Sequence, residues 1–176
     1  MSAGKGKRLE AIIRKVSRDL EARDLARLWK WPEEKRIKTV PRRCPSCDSW
    51  IKGQVVQHTE RPGCDFFGYT RSGRAILVEC KETDQPRLSI GATGLKPHQF
   101  YTLYDCHKAG GIALLAWLHD DVVGMLDVDM IQEFSLGRKS VNWKMIPDRF
   151  KHLECEMETM LEPWICTENS PRTSQS

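Results

Sequence analysis

With 176 residues, the chain can enclose one hydrophobic core but not two ordinary domains, so one compact domain is expected. Hydrophobic residues make up 40% and charged residues 30%, the balance of a soluble globular protein, and no apolar run approaches the roughly 18 residues of a membrane helix. The net charge of +4 is too small to argue for nucleic acid by itself, so the placement of the basic residues carries the information.

The N-terminal stretch MSAGKGKR is basic, but no apolar signal segment follows it, and a cytosolic chain is expected. In that compartment the seven cysteines read as reduced thiols, available for core packing or metal binding, and not as a disulfide framework. Leu9, Ile12, Ile13, Val16 and Leu20 recur at helical spacing with charged residues between them, which predicts an amphipathic helix from about Lys7 to Leu28. Beyond Pro32 the helical period is lost. Pro41, Pro45 and Pro62 punctuate a stretch with two strand candidates, Ile37 to Val40 and Trp50 to Gln57.

This stretch also concentrates positive charge. Lys30, Lys35, Arg36, Lys38, Arg42, Arg43 and Lys52 are interleaved with Trp29, Trp31 and Trp50. Basic side chains neutralise phosphates and aromatic faces stack on exposed bases, so the segment is a candidate DNA-binding surface. A solvated basic loop with its tryptophans turned into the core is the other reading.

Asp65 to Thr70 and Arg74 to Lys81 read as two strands around the turn Arg71-Ser72-Gly73, with glycine available for a left-handed position. Asp84 to Lys96 is polar and turn-rich. Pro97 suits the first turn of a helix that runs to about Ala109 and stops at Gly110-Gly111. Ile112 to Leu118 and Val122 to Leu126 are apolar runs expected as buried strands, and a short helix is expected near Asp129 to Phe134. Phe150, Leu153, Met157 and Leu161 mark a last helix, before a flexible polar tail at 167–176. Helix, strands, helix, strands, helix is the order of an α/β domain with a mixed central sheet flanked by helices.

The hairpin holds the chemistry. If Thr70 pairs with Arg74, then Asp65 lies opposite Glu79. Like charges directly opposite each other destabilise an antiparallel ladder. A divalent cation would reverse that cost, because Mg²⁺ draws hard oxygen ligands together and keeps positions for water and a phosphate. Strand alternation puts Lys81 on the face of Glu79 and turns Val78 and Cys80 away. A cation there can orient an attacking water and offset charge in the transition state. The bland alternative is a solvated strand face with Lys81 as countercharge.

These residues resemble a known family. Pro62-Gly63-Cys64-Asp65-Phe66-Phe67-Gly68, the strand end Val78-Glu79-Cys80-Lys81-Glu82-Thr83, His98-Gln99, Gly110-Gly111, Gly137-Arg138-Lys139-Ser140 and Glu10 in the first helix occur in the order seen in RecU-type Holliday junction resolvases of the PD-(D/E)xK superfamily. The likeness runs from about residue 6 to 146. It implies a restriction-endonuclease-like fold over 1–166, a homodimer, and Mg²⁺- or Mn²⁺-dependent hydrolysis of branched DNA in recombination and repair. Carried over, Asp65 and Glu79 would be the metal ligands, Lys81 the catalytic lysine, and Glu10 and Gln99 accessory residues of the catalytic site. From the residues alone, Glu10 could instead pair with Arg14, and Gln99 could be an ordinary early-helix residue.

The family also projects a stalk towards the junction centre, and the basic segment at 30–61 takes the corresponding place. It departs from the family pattern at Cys44-Pro45-Ser46-Cys47, a Cys-x2-Cys knuckle that with His58 and Cys64 offers four ligands for a structural zinc. Only one such half is present and Cys64 adjoins Asp65, so free thiols in a turn are the default. Competing functions are a nuclease of the same superfamily acting on duplex, flap or single-stranded DNA, a non-catalytic DNA-binding module, and an interaction protein with solvated carboxylates.

Overall fold

A computed structural model describes residues 7–32, 35–58, 63–91, 93–153 and 159–166, with backbone alone for 35–40, 51 and 53–58. The chain divides into two compact units, Pro32–Pro62 and the remainder.

The larger unit is built on a six-stranded sheet in the order β1-β4-β5-β7-β8-β10, formed by β1 (Ala26–Lys30), β4 (Phe66–Thr70), β5 (Ala75–Glu82), β7 (Ile112–His119), β8 (Val122–Asp127) and β10 (Lys151–Leu153). Only β5 and β7 run parallel; the other pairings are antiparallel. Every residue of β7 is buried, as a central strand covered on both faces requires. Its alternation divides the core. Ile112, Leu114, Ala116 and Leu118 join Leu9, Ile12, Ile13, Val16 and Leu20 of α1 (Lys7–Ala22), while Ala113, Leu115 and Trp117 pack with Leu103 of α2 (Pro97–Lys108) and Ile131 of α3 (Val128–Ser135). The mixed sheet flanked by helices expected from the sequence is present. Among the described residues, no helix is long and apolar enough to cross a membrane.

The first helix is shorter than expected. It ends at Ala22, Asp24 takes a left-handed φ of +53°, and Ala26–Lys30 forms edge strand β1. Ala26 and Leu28 are buried while Arg27 and Trp29 are exposed, a two-residue period hidden because Leu20, Leu25 and Leu28 also fit a helical stripe. At Gly68 the backbone of β1 lies close against β4: a Cβ there would lie 1.9 Å from the Arg27 carbonyl oxygen. Gly68→Ala is therefore expected to cost about 3 kcal/mol by overpacking. Thermal melting should show a Tm lower by on the order of 10 °C; an unchanged Tm would mean that the two strands separate freely.

Two further expectations need correction. The polar stretch before α2 contains β6 (Arg87–Ser89), which pairs antiparallel with β9 (Ser140–Asn142) around buried Leu88 and Val141. The last helix does not span Phe150 to Leu161. Phe150 closes a 3-10 turn, Lys151–Leu153 adds strand β10 beside β8, and among the described residues after them Glu162–Ile165 forms the short α-helix α4. Met157 and the tail at 167–176 lie outside the described residues.

The smaller unit is a two-stranded antiparallel ladder of β2 (Lys35–Arg43) and β3 (Trp50–His58). Both strands extend past the segments expected from the sequence.

Candidate active site

The turn between β4 and β5 fixes the site. Gly73 takes a φ of +86°, its N–H donates to the Thr70 carbonyl at 2.9 Å, and the Thr70 N–H donates to the Arg74 carbonyl at 2.9 Å. The glycine frees this position from the steric penalty a side chain would meet. The ladder then pairs Tyr69 with Ala75 and Phe66 with Val78. One step further, the Asp65 N–H donates to the Val78 carbonyl at 3.2 Å, so the regular ladder ends at the Phe66–Val78 pair and Asp65 lies against the end of β5 without pairing directly with Glu79 as the sequence register expects.

Alternation separates the side chains of β5. Ile76, Val78 and Cys80 enter the core beneath α1. Glu79 and Lys81 turn to the face covered by α2, where their ammonium and carboxylate lie 2.6 Å apart. Gln99 bridges them from the first turn of α2. Its Oε1 accepts from Lys81 Nζ at 2.9 Å and from the Lys96 N–H at 3.1 Å, and its Nε2 donates to Glu79 Oε1. The amide orientation follows from chemistry: an ammonium can only donate and a carboxylate only accept. Gln99 therefore caps its helix and also contacts both Glu79 and Lys81.

Burial shapes the electrostatics. Glu79 is 1% exposed, and its Oε2 is buried without a hydrogen-bond partner among the described residues. Desolvation, followed by the charge of Asp65, pushes its carboxyl up to about 7, with Lys81 opposing the rise. Asp65 is also raised, chiefly by burial, although the Cys80 N–H donates to its Oδ2 at 2.8 Å and Lys81 lies near. Two such carboxylates with an orphaned oxygen are a donor set suited to a hard divalent cation, which would remove the desolvation and repulsion together. Among the described residues no group of three or more His, Cys, Asp or Glu side chains is arranged around a metal position, so a cation here would rest on the pair and on water.

Glu10 joins the edge of this cluster. It is ion-paired with Lys30 of β1, not placed by Arg14, and its charge acts on Asp65. Lys30 is thus paired with a carboxylate at the edge of the cluster. Lys96, which the motifs in the sequence do not single out, also acts on Glu79. The one signal for it is its place directly before Pro97-His98-Gln99.

The remaining candidates are more dispersed. Arg42, Arg43 and Lys52 are exposed near the closed end of the β2–β3 hairpin, while the side chains of Lys35, Arg36 and Lys38 lie outside the described residues. Arg43 is ion-paired with Asp48 and lies 5.1 Å from the ring centroid of Trp50. The tryptophans are not core residues: Trp29, Trp31 and Trp50 are 44%, 38% and 67% exposed. The four zinc candidates do not converge. The ladder pairs His58 with Lys35 at one end of the hairpin and Trp50 with Arg43 at the other, so eight steps, about 26 Å, separate His58 from the knuckle at Cys44 and Cys47. Cys64 is buried in the larger unit, where its thiol donates to the Phe66 carbonyl at 3.1 Å.

Against known proteins, the family model of RecU, described as recombination protein U, matches residues 4–166. No curated protein is similar enough to the chain to count as a match.

Proposed function

The chain belongs to the RecU family, the Holliday junction resolvases of recombination, and from that premise we propose that it is a Mg²⁺- or Mn²⁺-dependent endonuclease cutting branched DNA through Asp65, Glu79 and Lys81. Its sheet, mixed in direction and flanked by helices, is consistent with a restriction-endonuclease-like core. The observation that carries the catalytic reading is the buried Glu79 carboxylate, acted on by the charge of Asp65 and with one oxygen unpartnered among the described residues. A fold seldom keeps such a pair without a ligand that reverses its cost.

Asp65 and Glu79 would hold the cation. When bound, it supplies Lewis-acid stabilisation of the phosphate and lowers the pKa of a coordinated water. The protein's own contribution is positional. Lys81, fixed by Glu79 and Gln99, presents a positive charge on the carboxylate face, where it can orient a water and offset charge developing on the phosphate. Gln99 restrains Glu79 and Lys81 together, so neither must be ordered when substrate arrives. Glu10 and Lys30 bound the site from the α1 side. A homodimer would supply two such sites, one for each strand to be cut in a junction.

Calorimetry tests the metal reading. Mn²⁺ should bind the wild-type chain with saturable heat that Asp65→Asn removes; identical titrations of the two proteins would leave the carboxylates as a solvated strand face.

The basic hairpin is the proposed DNA contact. Joint replacement of Arg42 and Arg43 by Ala should weaken junction binding and lower the slope of log affinity against log salt by about 0.9 for each phosphate no longer neutralised. Their exposure predicts little change in melting temperature. Unchanged affinity and salt slope would remove this surface from DNA recognition.

A further inference from the structure

Four aromatic side chains of the larger unit lie outside both the core and the basic hairpin. Trp31, Phe67, Trp29 and Tyr69 form one run of rings, with centroids 4.9 Å, 5.9 Å and 5.5 Å apart in that order. Both tryptophans and Tyr69 are exposed, and Phe67 is half-buried. Single exposed rings are ordinary on a protein surface, but a contiguous patch of them marks a contact surface.

The register places this patch beside the catalytic residues. Trp29 pairs with Phe67 and Phe67 with Leu77 across β1, β4 and β5, so the three side chains share one face of the sheet. Glu79 lies two residues beyond Leu77 on that face, where Gln99 of α2 holds it. The Trp31 N–H donates to the Asp65 carbonyl at 2.7 Å, which ties the backbone carrying the ring to the backbone carrying the carboxylate. At the far end Arg27 pairs with Tyr69, and its exposed 3.4 Å bridge to Glu21 is weak enough to be exchanged for a phosphate.

Continuity with the carboxylates argues for nucleic acid as the occupant. A second copy or another protein seated on Trp31 would lie over Asp65, which the nuclease reading needs open to a phosphate. Spacing then decides the form of the nucleic acid. Bases along a duplex strand repeat every ~3.4 Å. Neighbouring rings of the patch are all farther apart than that, and their planes meet at angles between 38° and 64°. They do not match a stacked duplex, and they suit bases that have left the stack, as at a branch point. We propose that Trp29, Trp31, Phe67 and Tyr69 form a stacking platform for unpaired bases beside the scissile phosphate, and that this platform favours branched over linear duplex DNA. Its place beside the scissile phosphate rests on the nuclease reading, but base stacking itself needs no metal.

The test measures binding by the full chain in the presence of chelator, so that cleavage does not intervene. The probes are a short thymidine oligonucleotide, the same strand with abasic sites in place of its bases, and a matched duplex. The strand with bases should bind at least about 5-fold more tightly than the abasic one. Trp29→Ala and Trp31→Ala should each weaken binding of the strand with bases by about 5- to 150-fold, leaving the abasic strand, the duplex and the salt slope unchanged. Trp29→Phe should recover most of the loss, because a ring still stacks. Melting curves check that the variants fold, and Tyr69→Ala, at another exposed ring, repeats the test on the neighbouring strand. Equal losses on the strands with and without bases overturn the proposal, as do equal losses on the duplex. A fall in the mass of the free protein on Trp29→Ala also overturns it, making the patch a contact between copies. Junction cleavage in Mg²⁺, followed separately, distinguishes the two readings. A chain that cuts but shows no preference for bases loses the platform alone, and one that binds bases through Trp29 but cuts nothing keeps the platform and loses the nuclease reading.

Discussion

Asp65→Asn and Glu79→Gln are each expected to lower DNA cleavage by on the order of 10³-fold or more, while leaving DNA affinity nearly unchanged in the absence of metal. Each amide keeps the volume of the carboxyl group but removes the charge that a divalent cation needs. Cavity formation is therefore not available as an explanation for the loss. Lys81→Ala should also lose activity, yet keep more metal affinity than either carboxylate variant, because its ammonium cannot ligate a cation. Single-turnover cleavage and metal titration on the same preparations separate the roles. Near-wild-type turnover by either carboxylate variant would remove that residue from the catalytic site, and equal loss of metal affinity in all three would remove the distinction drawn for Lys81.

Glu79→Gln is also expected to stabilise the metal-free protein by about 3 kcal/mol above neutral pH. In the folded chain the Glu79 carboxyl titrates at about 7, against an ordinary 4.5, with burial the largest cause and Asp65 the next. The native state then binds this proton more tightly than the unfolded chain does. Stability contributed by the protonated form is fully present below about 4.5 and is lost as pH rises through about 7. Glutamine carries no such proton, so its melting curve should lack this component. With metal removed by chelation, the two proteins should melt together near pH 4 and diverge by on the order of 10 °C at pH 8. Saturating Mg²⁺ should narrow the gap by stabilising the wild type alone. A gap that does not change with pH would show that Glu79 is not held as a strained buried anion.

The hairpin from Asp65 to Lys81 was legible because its turn and its alternation give the same register. Gly73 supplies the left-handed turn position, and Phe66, Ile76, Val78 and Cys80 all require the core face. A slip of one residue would have exposed them and buried their charged neighbours. Gln99 was legible by resemblance but not by period, since its bridge between Glu79 and Lys81 exists only once α2 packs over β5. The end of α1 was not legible: Leu25 and Leu28 satisfy a helix and a strand equally, and tertiary pairing with β4 chooses the strand. Phe150 and Leu153 likewise have helical spacing, but Phe150 closes a 3-10 turn and β8 offers Leu153 an unpaired edge. The zinc quartet failed for a different reason. Ligand counting ignores distance, and the ladder that joins Lys35 to His58 also carries His58 away from the knuckle.

The most direct measurement is cleavage of a synthetic four-way junction by the full chain with Mg²⁺, beside matched duplex and single-stranded DNA of the same sequence. The junction should be cut in both strands of a symmetric pair, the linear substrates much more slowly, and chelation or Asp65→Asn should stop the reaction. Efficient cutting of the duplex at the same rate would leave a nuclease without junction selectivity. No cutting of any substrate in Mg²⁺ or Mn²⁺ by folded, DNA-binding protein would contradict the catalytic assignment of Asp65, Glu79 and Lys81.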